Sequence, residues 1–144
     1  MIYFEDFQVG QKIVTRGRTV TEADVTMFAA LSGDWYGLHV NEEIAKKSVF
    51  GGRIAHGFLV LSIASGFVTP YDVALIAFYG MDKVRFTGPT RLGDTIHLVT
   101  EVIEIQDKGD LGVVANQWHI KNQRDEDVAV LVTKVAVAKR PKAQ

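Results

Sequence analysis

Cysteine is absent from the chain. That rules out a disulfide framework, a thiolate metal site and a cysteine nucleophile, and it fits a reducing cytoplasm. Strong charge of either sign is missing too. The formal net charge is −1, so no field recruits nucleic acid or an anionic membrane as a partner. No uncharged run reaches the ~20 apolar residues that span a bilayer. The longest, GFLVLSIASGFVTPY at residues 57–71, holds Ser62, Ser65, Thr69 and Pro70 and predicts a buried helix instead. The opening MIYFEDFQVG carries acidic residues where a signal peptide is basic, and no long apolar segment follows. Repeats and low-complexity stretches are missing, and only AKRPKAQ reads as a frayed end. What is present is ordinary for a globular protein: 144 residues, 47% apolar and 23% charged. This predicts one domain over residues 1–144, able to bury roughly two-thirds of its unfolded surface.

The pattern along the chain predicts an α+β layout. KIVTRGRTV (residues 12–20) reads as a short strand interrupted by Gly17. Thr19 with Glu22, or Thr21 with Asp24, offers a capping box for a helix carrying Val25, Phe28, Ala29 and Leu31 on one face, with Gly33 as its stop. Asn41 followed by Glu42 and Glu43 starts a shorter helix ending near Ser48. VFGGRIAHG reads as a loop into a helix over residues 57–68, apolar in nearly every direction and so expected to be wrapped by other structure. Strands are predicted at ALIAFYGM, KVRFTG, TIHLVTEVIEI, LGVVANQWHI and VAVLVTKVAVA. In the last, Val128, Val130 and Val132 share a face, with Val135 and Val137 following a phase change. One strand, then helices, then a run of antiparallel strands predicts a sheet curled around one central helix.

Asp34, His39 and the segment Ala55-His56-Gly57 carry the candidate chemistry. An Asp and a His on one loop can reach a single water, one taking its proton and the other orienting it. The Gly57 amide, at a helix N-terminus, suits an oxygen that gains negative charge. A blander reading stands beside this one. Asp after Ser-Gly is a common turn residue, a lone His is commonly a surface or core residue, and His56-Gly57 can simply begin a helix. His97 and His119 lie in strands whose Ile96, Leu98, Trp118 and Ile120 point the other way, so both are expected to face solvent. Trp35 and Tyr36 either line a pocket or pack the loop.

ALSGDWYGLH, FGGRIAHGFLVLSIASGF and KVRFTGPTRLGDTI together resemble the MaoC-like dehydratase family, which includes the (R)-specific enoyl-CoA hydratases. The likeness runs from about Phe4 to about Ala138. It implies a hot-dog fold, a long helix wrapped in an antiparallel sheet. The family's motif is Gly-Asp-x-Asn-Pro-φ-His, with φ apolar, and Gly33, Asp34, Leu38 and His39 match it. By resemblance, Asp34 and His39 are the catalytic pair, Gly57 is the oxyanion donor, and Tyr36, His56 and Ser65 belong to the substrate site. Tyr36 and Gly37 depart from the motif's Asn and Pro, and a phenol there is expected to recontour the acyl pocket.

The resemblance implies reversible addition of water to a 2-enoyl thioester of coenzyme A, with no metal or redox cofactor. It also implies a homodimer or higher homo-oligomer with the acyl tunnel between subunits. Two other readings stay open: a hot-dog thioesterase, disfavoured because residues 57–71 hold no carboxylate, and a non-catalytic acyl-binding subunit. Arg53, Lys83, Arg85 and Arg91 are either coenzyme A contacts or solvated surface.

Overall fold

Local chemistry sets where the helices begin and end. The computed structural model describes residues 1–68 and 72–141, so Thr69, Pro70 and the last three residues of the predicted frayed end lie outside the described residues. Of the two possible capping boxes, Thr21 with Asp24 is the one that forms. The Thr21 hydroxyl accepts from the Asp24 amide (3.3 Å) and the Asp24 carboxylate accepts from the Thr21 amide (2.8 Å), opening α1 (Glu22–Ser32). Thr19 instead bonds the Thr95 hydroxyl. Gly33 ends α1 at φ 77°, a left-handed conformation that costs glycine nothing. Val25 and Ala29 of α1 are buried, but Leu31 is 84% exposed and does not join the predicted apolar face.

His39 sits on a one-turn helix, α2 (Gly37–Val40), and not in an open loop. Asn41 caps α3 (Glu42–Ala45) by accepting from the Ile44 amide, and α3 is shorter than predicted, with turns continuing to Ser48. α4 (Gly57–Phe67) is the central helix. None of these helices is long and apolar enough to cross a membrane.

The sheet runs β1-β4-β5-β6-β3 and is antiparallel throughout. The predicted strand over residues 12–20 is two short pieces, β1 (Lys12–Val14) and β2 (Arg18–Thr19), which both pair with β4 (Thr95–Asp107). The segments read as ALIAFYGM and KVRFTG form one strand, β3 (Leu75–Phe86), bent by register shifts against β6 (Asp127–Ala138) and carrying Lys83 at φ 54°. β5 (Leu111–Lys121) pairs with β4 and β6. The register against β5 slips once, at the start of β6, where Val128 is the extra residue between Asp127 and Ala129, and it is unbroken from Ala129 to Ala138, so the expected phase change after Val132 is absent. Val130 and Val132 lie on the face opposite Val135 and Val137, and Val128 joins Ala129 and Leu131 in the core.

The core forms where α4 meets the sheet. Leu59, Val60, Leu61 and Ala64 pack against Ile96, Leu98, Trp118, Ile120 and Leu131. A sheet curled around one helix is the hot-dog arrangement. The wrapping is one-sided, however. Phe58 is 72% exposed, and Ser62 and Ser65 share its open face at helical spacing. The side chains of His97 and His119 lie opposite buried Ile96, Leu98, Trp118 and Ile120, as expected, with His119 bonded to Asp127 (3.2 Å).

Candidate active site

The turn after α1 is built by its own side chains. The Ser32 hydroxyl donates to the Phe28 carbonyl and accepts from the Asp34 amide (3.1 Å), while the Asp34 carboxylate accepts from the Tyr36 amide (3.2 Å). This fixes Asp34 just ahead of α2, which carries His39. At Gly37, where the family has proline, a β-carbon would lie 2.9 Å from the Ile44 side chain. Ile44, about half exposed, would have to turn aside for any side chain there.

Long-range pairing brings the start of α4 to this turn. The Ala55 amide donates to the Thr90 carbonyl (2.7 Å), and Ile54 bridges Arg91. The loop carrying Thr90 and Arg91 is held in turn by buried Asp94, which accepts from the Arg91 amide and from Gln123. A carboxylate oxygen of Asp34 and ring nitrogens of His39 and His56 thereby all lie within 4.8 Å of one another. One water fits between Asp34 and His39 at that separation.

The two imidazoles have defined protons. The Ile54 carbonyl lies 2.8 Å from His39 Nδ1 and can only accept, so Nδ1 carries hydrogen and Nε2 of the neutral ring offers a lone pair. The Asp34 carbonyl likewise takes the His56 Nε2 hydrogen at 3.0 Å. His56 stacks on His39 with ring centroids 3.9 Å apart and planes at 28°. It is 2% exposed, and its Nδ1 has no partner. His56 therefore holds the Asp34 backbone and backs the His39 ring from within the core, where the sequence had suggested a substrate contact.

Each ring gives one N–H to a carbonyl, which leaves His39 Nε2 and His56 Nδ1 as the two remaining ring nitrogens of the cluster.

Gly57 opens α4, so its N–H is one that helix geometry leaves without an internal acceptor, at the positive end of the dipole. It lines a cavity of about 460 Å³ together with His39, Phe50, Ile54, Phe58 and Phe86. A β-carbon at residue 57 would come within 2.7 Å of the Phe86 ring. Glycine thus keeps the amide open to the cavity.

Two expected substrate-site residues do not line this cavity. Tyr36 is 68% exposed, with its ring edge-on to His39 at 6.3 Å, and it lines neither this cavity nor the one beside Ser65. Ser65 is eight residues along α4 from Gly57, about 12 Å by helix geometry, and borders a second cavity. Arg53 is engaged by Glu22 and Glu42. Arg91 donates to the Phe50 carbonyl and Arg85 to that of Val84. The Ile54 carbonyl and Phe86 were not foreseen. The first is backbone and carries no residue-type signal; the second stood inside KVRFTG without a reason to single it out.

Comparison with known proteins agrees with this layout. An Archaeoglobus structure described as a monoamine oxidase regulatory protein superposes with a TM-score of 0.92 at 46% identity, covering 97% of this chain and 96% of that one. The MaoC-like dehydratase from Rhodospirillum rubrum superposes with a TM-score of 0.87 at 30% identity, covering 98% and 99%. Protein MaoC of Klebsiella aerogenes is 43% identical over 97 residues, 67% of this chain and 29% of that protein. The (R)-specific enoyl-CoA hydratase of Rhodospirillum rubrum is 38% identical over 94 residues, 65% of each. The chain thus spans under a third of the first of these curated relatives and just under two thirds of the second. The MaoC like domain is matched over residues 6–123, and the chain belongs to that family.

Proposed function

We propose that this protein reversibly hydrates a trans-2-enoyl-CoA to a (3R)-3-hydroxyacyl-CoA. The observation that carries the reading is a carboxylate and an imidazole of fixed tautomer, gathered within 4.8 Å of each other beside a cavity into which the first amide of α4 opens. Water addition requires a group to take a proton from the nucleophile while negative charge builds on the thioester oxygen. His39 Nε2 is the available lone pair, and Asp34 shares and orients the same water; the two act as one unit. The water oxygen bonds to C3, the C2–C3 π electrons move onto the carbonyl as an enolate, and the Gly57 amide meets that charge. The proton taken from water then returns to C2. The relatives named as hydratases and dehydratases support the reaction class and the R configuration.

A homodimer completes the reading. Two copies joined at the free β3 edge would roof the open face of α4 and close the acyl channel between subunits.

The test follows the conjugated-thioester absorbance of crotonyl-CoA beside a free-thiol assay. Loss of conjugation without thiol release is expected. Thiol release identifies a thioesterase, and no change at all points to a binder or to a different acyl chain. His39→Ala and Asp34→Asn should each lose about 10²–10⁴-fold in kcat, the usual share of a general acid–base group. Full activity in either variant overturns the assignment.

A further inference from the structure

The second cavity, about 380 Å³, lies between α4 and the inner face of the sheet. Most of its lining is apolar, contributed by Phe7, Val68, Leu75, Phe78, Trp118 and Val135 among others. Three neighbouring strands nonetheless each place a polar side chain on this wall: Thr100 on β4, Asn116 on β5 and Thr133 on β6. Asn116 is directly opposite Thr133 and diagonal to Thr100, which itself faces Trp118. The three form a row across an inner face otherwise made of Ile, Leu, Val and Trp. Thr100 is 7% exposed, and its hydroxyl has no hydrogen-bond partner. Burying a hydroxyl that way costs stability unless something else satisfies it. Among the described residues no charged side chain lines this cavity, and Thr100 and Asn116 also border an adjoining one of about 580 Å³ whose lining includes Asp6, Lys12 and Asp72.

We propose that this row is a subsite for a neutral oxygen function, a hydroxyl or a keto group, carried on the acyl chain of the substrate. The proposal rests on the thioester reading of the site and narrows it to oxygenated acyl groups. Two hydroxyls and a carboxamide supply both donors and acceptors. A carboxylate would face Asp6 and Asp72 of the adjoining cavity, whose one cation among the described residues, Lys12, is already paired with Glu101. A plain alkyl chain would offer the Thr100 hydroxyl no hydrogen-bond partner.

The position suits a distal substituent. The catalytic cavity borders Phe58 and Phe86, at one end of the stripe between α4 and β3, and the polar cavity borders Ser65 and Leu75, at the other. In a two-fold pair with antiparallel β3 edges, Phe86 of each copy falls beside Leu75 of the other. The catalytic cavity of one copy then runs into the polar cavity of its mate, and a thioester held at Gly57 directs its tail there.

The experiment is calorimetric binding of saturated acyl-CoAs of one chain length, either unsubstituted or with a hydroxyl at successive carbons. These ligands cannot be hydrated, so binding is read apart from turnover. For the wild-type protein, one hydroxylated isomer should bind about tenfold more tightly than the unsubstituted chain, the scale of a neutral hydrogen bond in a dry pocket. In Thr100→Val/Asn116→Leu that ratio should fall to about one. The single Thr100→Val variant removes an unpartnered hydroxyl at nearly constant shape, so it should melt no lower than wild type and provides a folded control. A wild-type ratio of one or less at every position overturns the proposal, and so does a preference that survives in the variants. Hydration of the 2-enoyl-CoA that carries the preferred hydroxyl is measured in parallel. Its failure alongside an intact hydroxyl preference would sink the hydratase reading and leave the oxygenated-acyl site standing.

Discussion

The Gly57–Phe86 contact decides whether the catalytic cavity has a reachable amide. The Phe86 ring lies against the start of α4 and is about half exposed, so it can swing outward when pushed. Gly57→Ala should therefore fold. Its methyl and the displaced ring would crowd the approach to the 57 amide, and kcat should fall toward the ~10²–10³-fold cost of losing an oxyanion donor. Circular dichroism with crotonyl-CoA turnover checks this; wild-type turnover in a folded Gly57→Ala protein removes the amide from the mechanism. At this scale, what could be read from sequence was whatever a side chain announces. Asp34, His39 and Gly57 stand at spacings with a chemical meaning. The tautomer of His39 was not legible, because the carbonyl that sets it belongs to Ile54 and would be the same for any residue there. The setting of His56 was not legible for a related reason. A histidine before a helix reads as a site residue or a cap, and only the fold reveals that its ring is sealed against His39 and Phe28.

Arg53 ties the elements around the site together. Its guanidinium makes a two-pronged contact with Glu22 at the start of α1, at 2.8 and 2.7 Å, and reaches Glu42 in α3 at 3.0 Å, three residues before His56. The hydrogen bonds from Arg53 hold the Glu22 carboxyl below its ordinary value of 4.5, with burial opposing only in part. A depressed carboxylate contributes stability that is fully present above its unfolded pKa and is lost as pH falls through its folded one. Acidification below about 4.5 should therefore lower Tm more steeply in wild type than in Glu22→Gln, whose Tm is already reduced at neutral pH. Parallel slopes in thermal melts would contradict the link. Capping explains why α1 and its boundaries were readable: Thr21, Asp24 and Gly33 act within a few residues of themselves. The elements misread are those governed from outside. α2 is one turn long and offers no periodicity. β3 was cut at its charged Asp82-Lys83 pair because a bent edge strand held by β6 looks locally like two strands with a turn.

At the level of the whole molecule, a single chain leaves too much apolar surface uncovered. β3 is a sheet edge of 12 residues, closed near its start by Ile2 pairing with Val73 and open from Leu75 onward. Leu75, Ile76, Phe78, Tyr79, Met81 and Phe86 along it are all exposed, as is Phe58 on the neighbouring helix face. An edge this long and this apolar aggregates unless something pairs with it. The run 57–71 foretold the difficulty, since a helix apolar all round must be covered, and no described residue covers the open side at Phe58. A second copy is the simplest occupant, because an antiparallel two-fold pair satisfies both edges at once and sets like residues near the strand midpoint against each other. Tyr79 lies near that midpoint, with Asp82 a few residues beyond. Tyr79→Glu would place new carboxylates close to the Asp82 of the opposite copy, where like charges across a strand pair repel. Light scattering should then find wild type at twice the chain mass and Tyr79→Glu at the chain mass. The variant should keep its far-ultraviolet spectrum, because Tyr79 is mostly solvent-exposed and contributes little to the core. Its hydration activity should fall with dimerisation, since a channel roofed by two copies is open in one. A wild-type protein that sediments as a monomer and turns over crotonyl-CoA at full rate would show that one chain is sufficient, and the channel between copies would have to be abandoned.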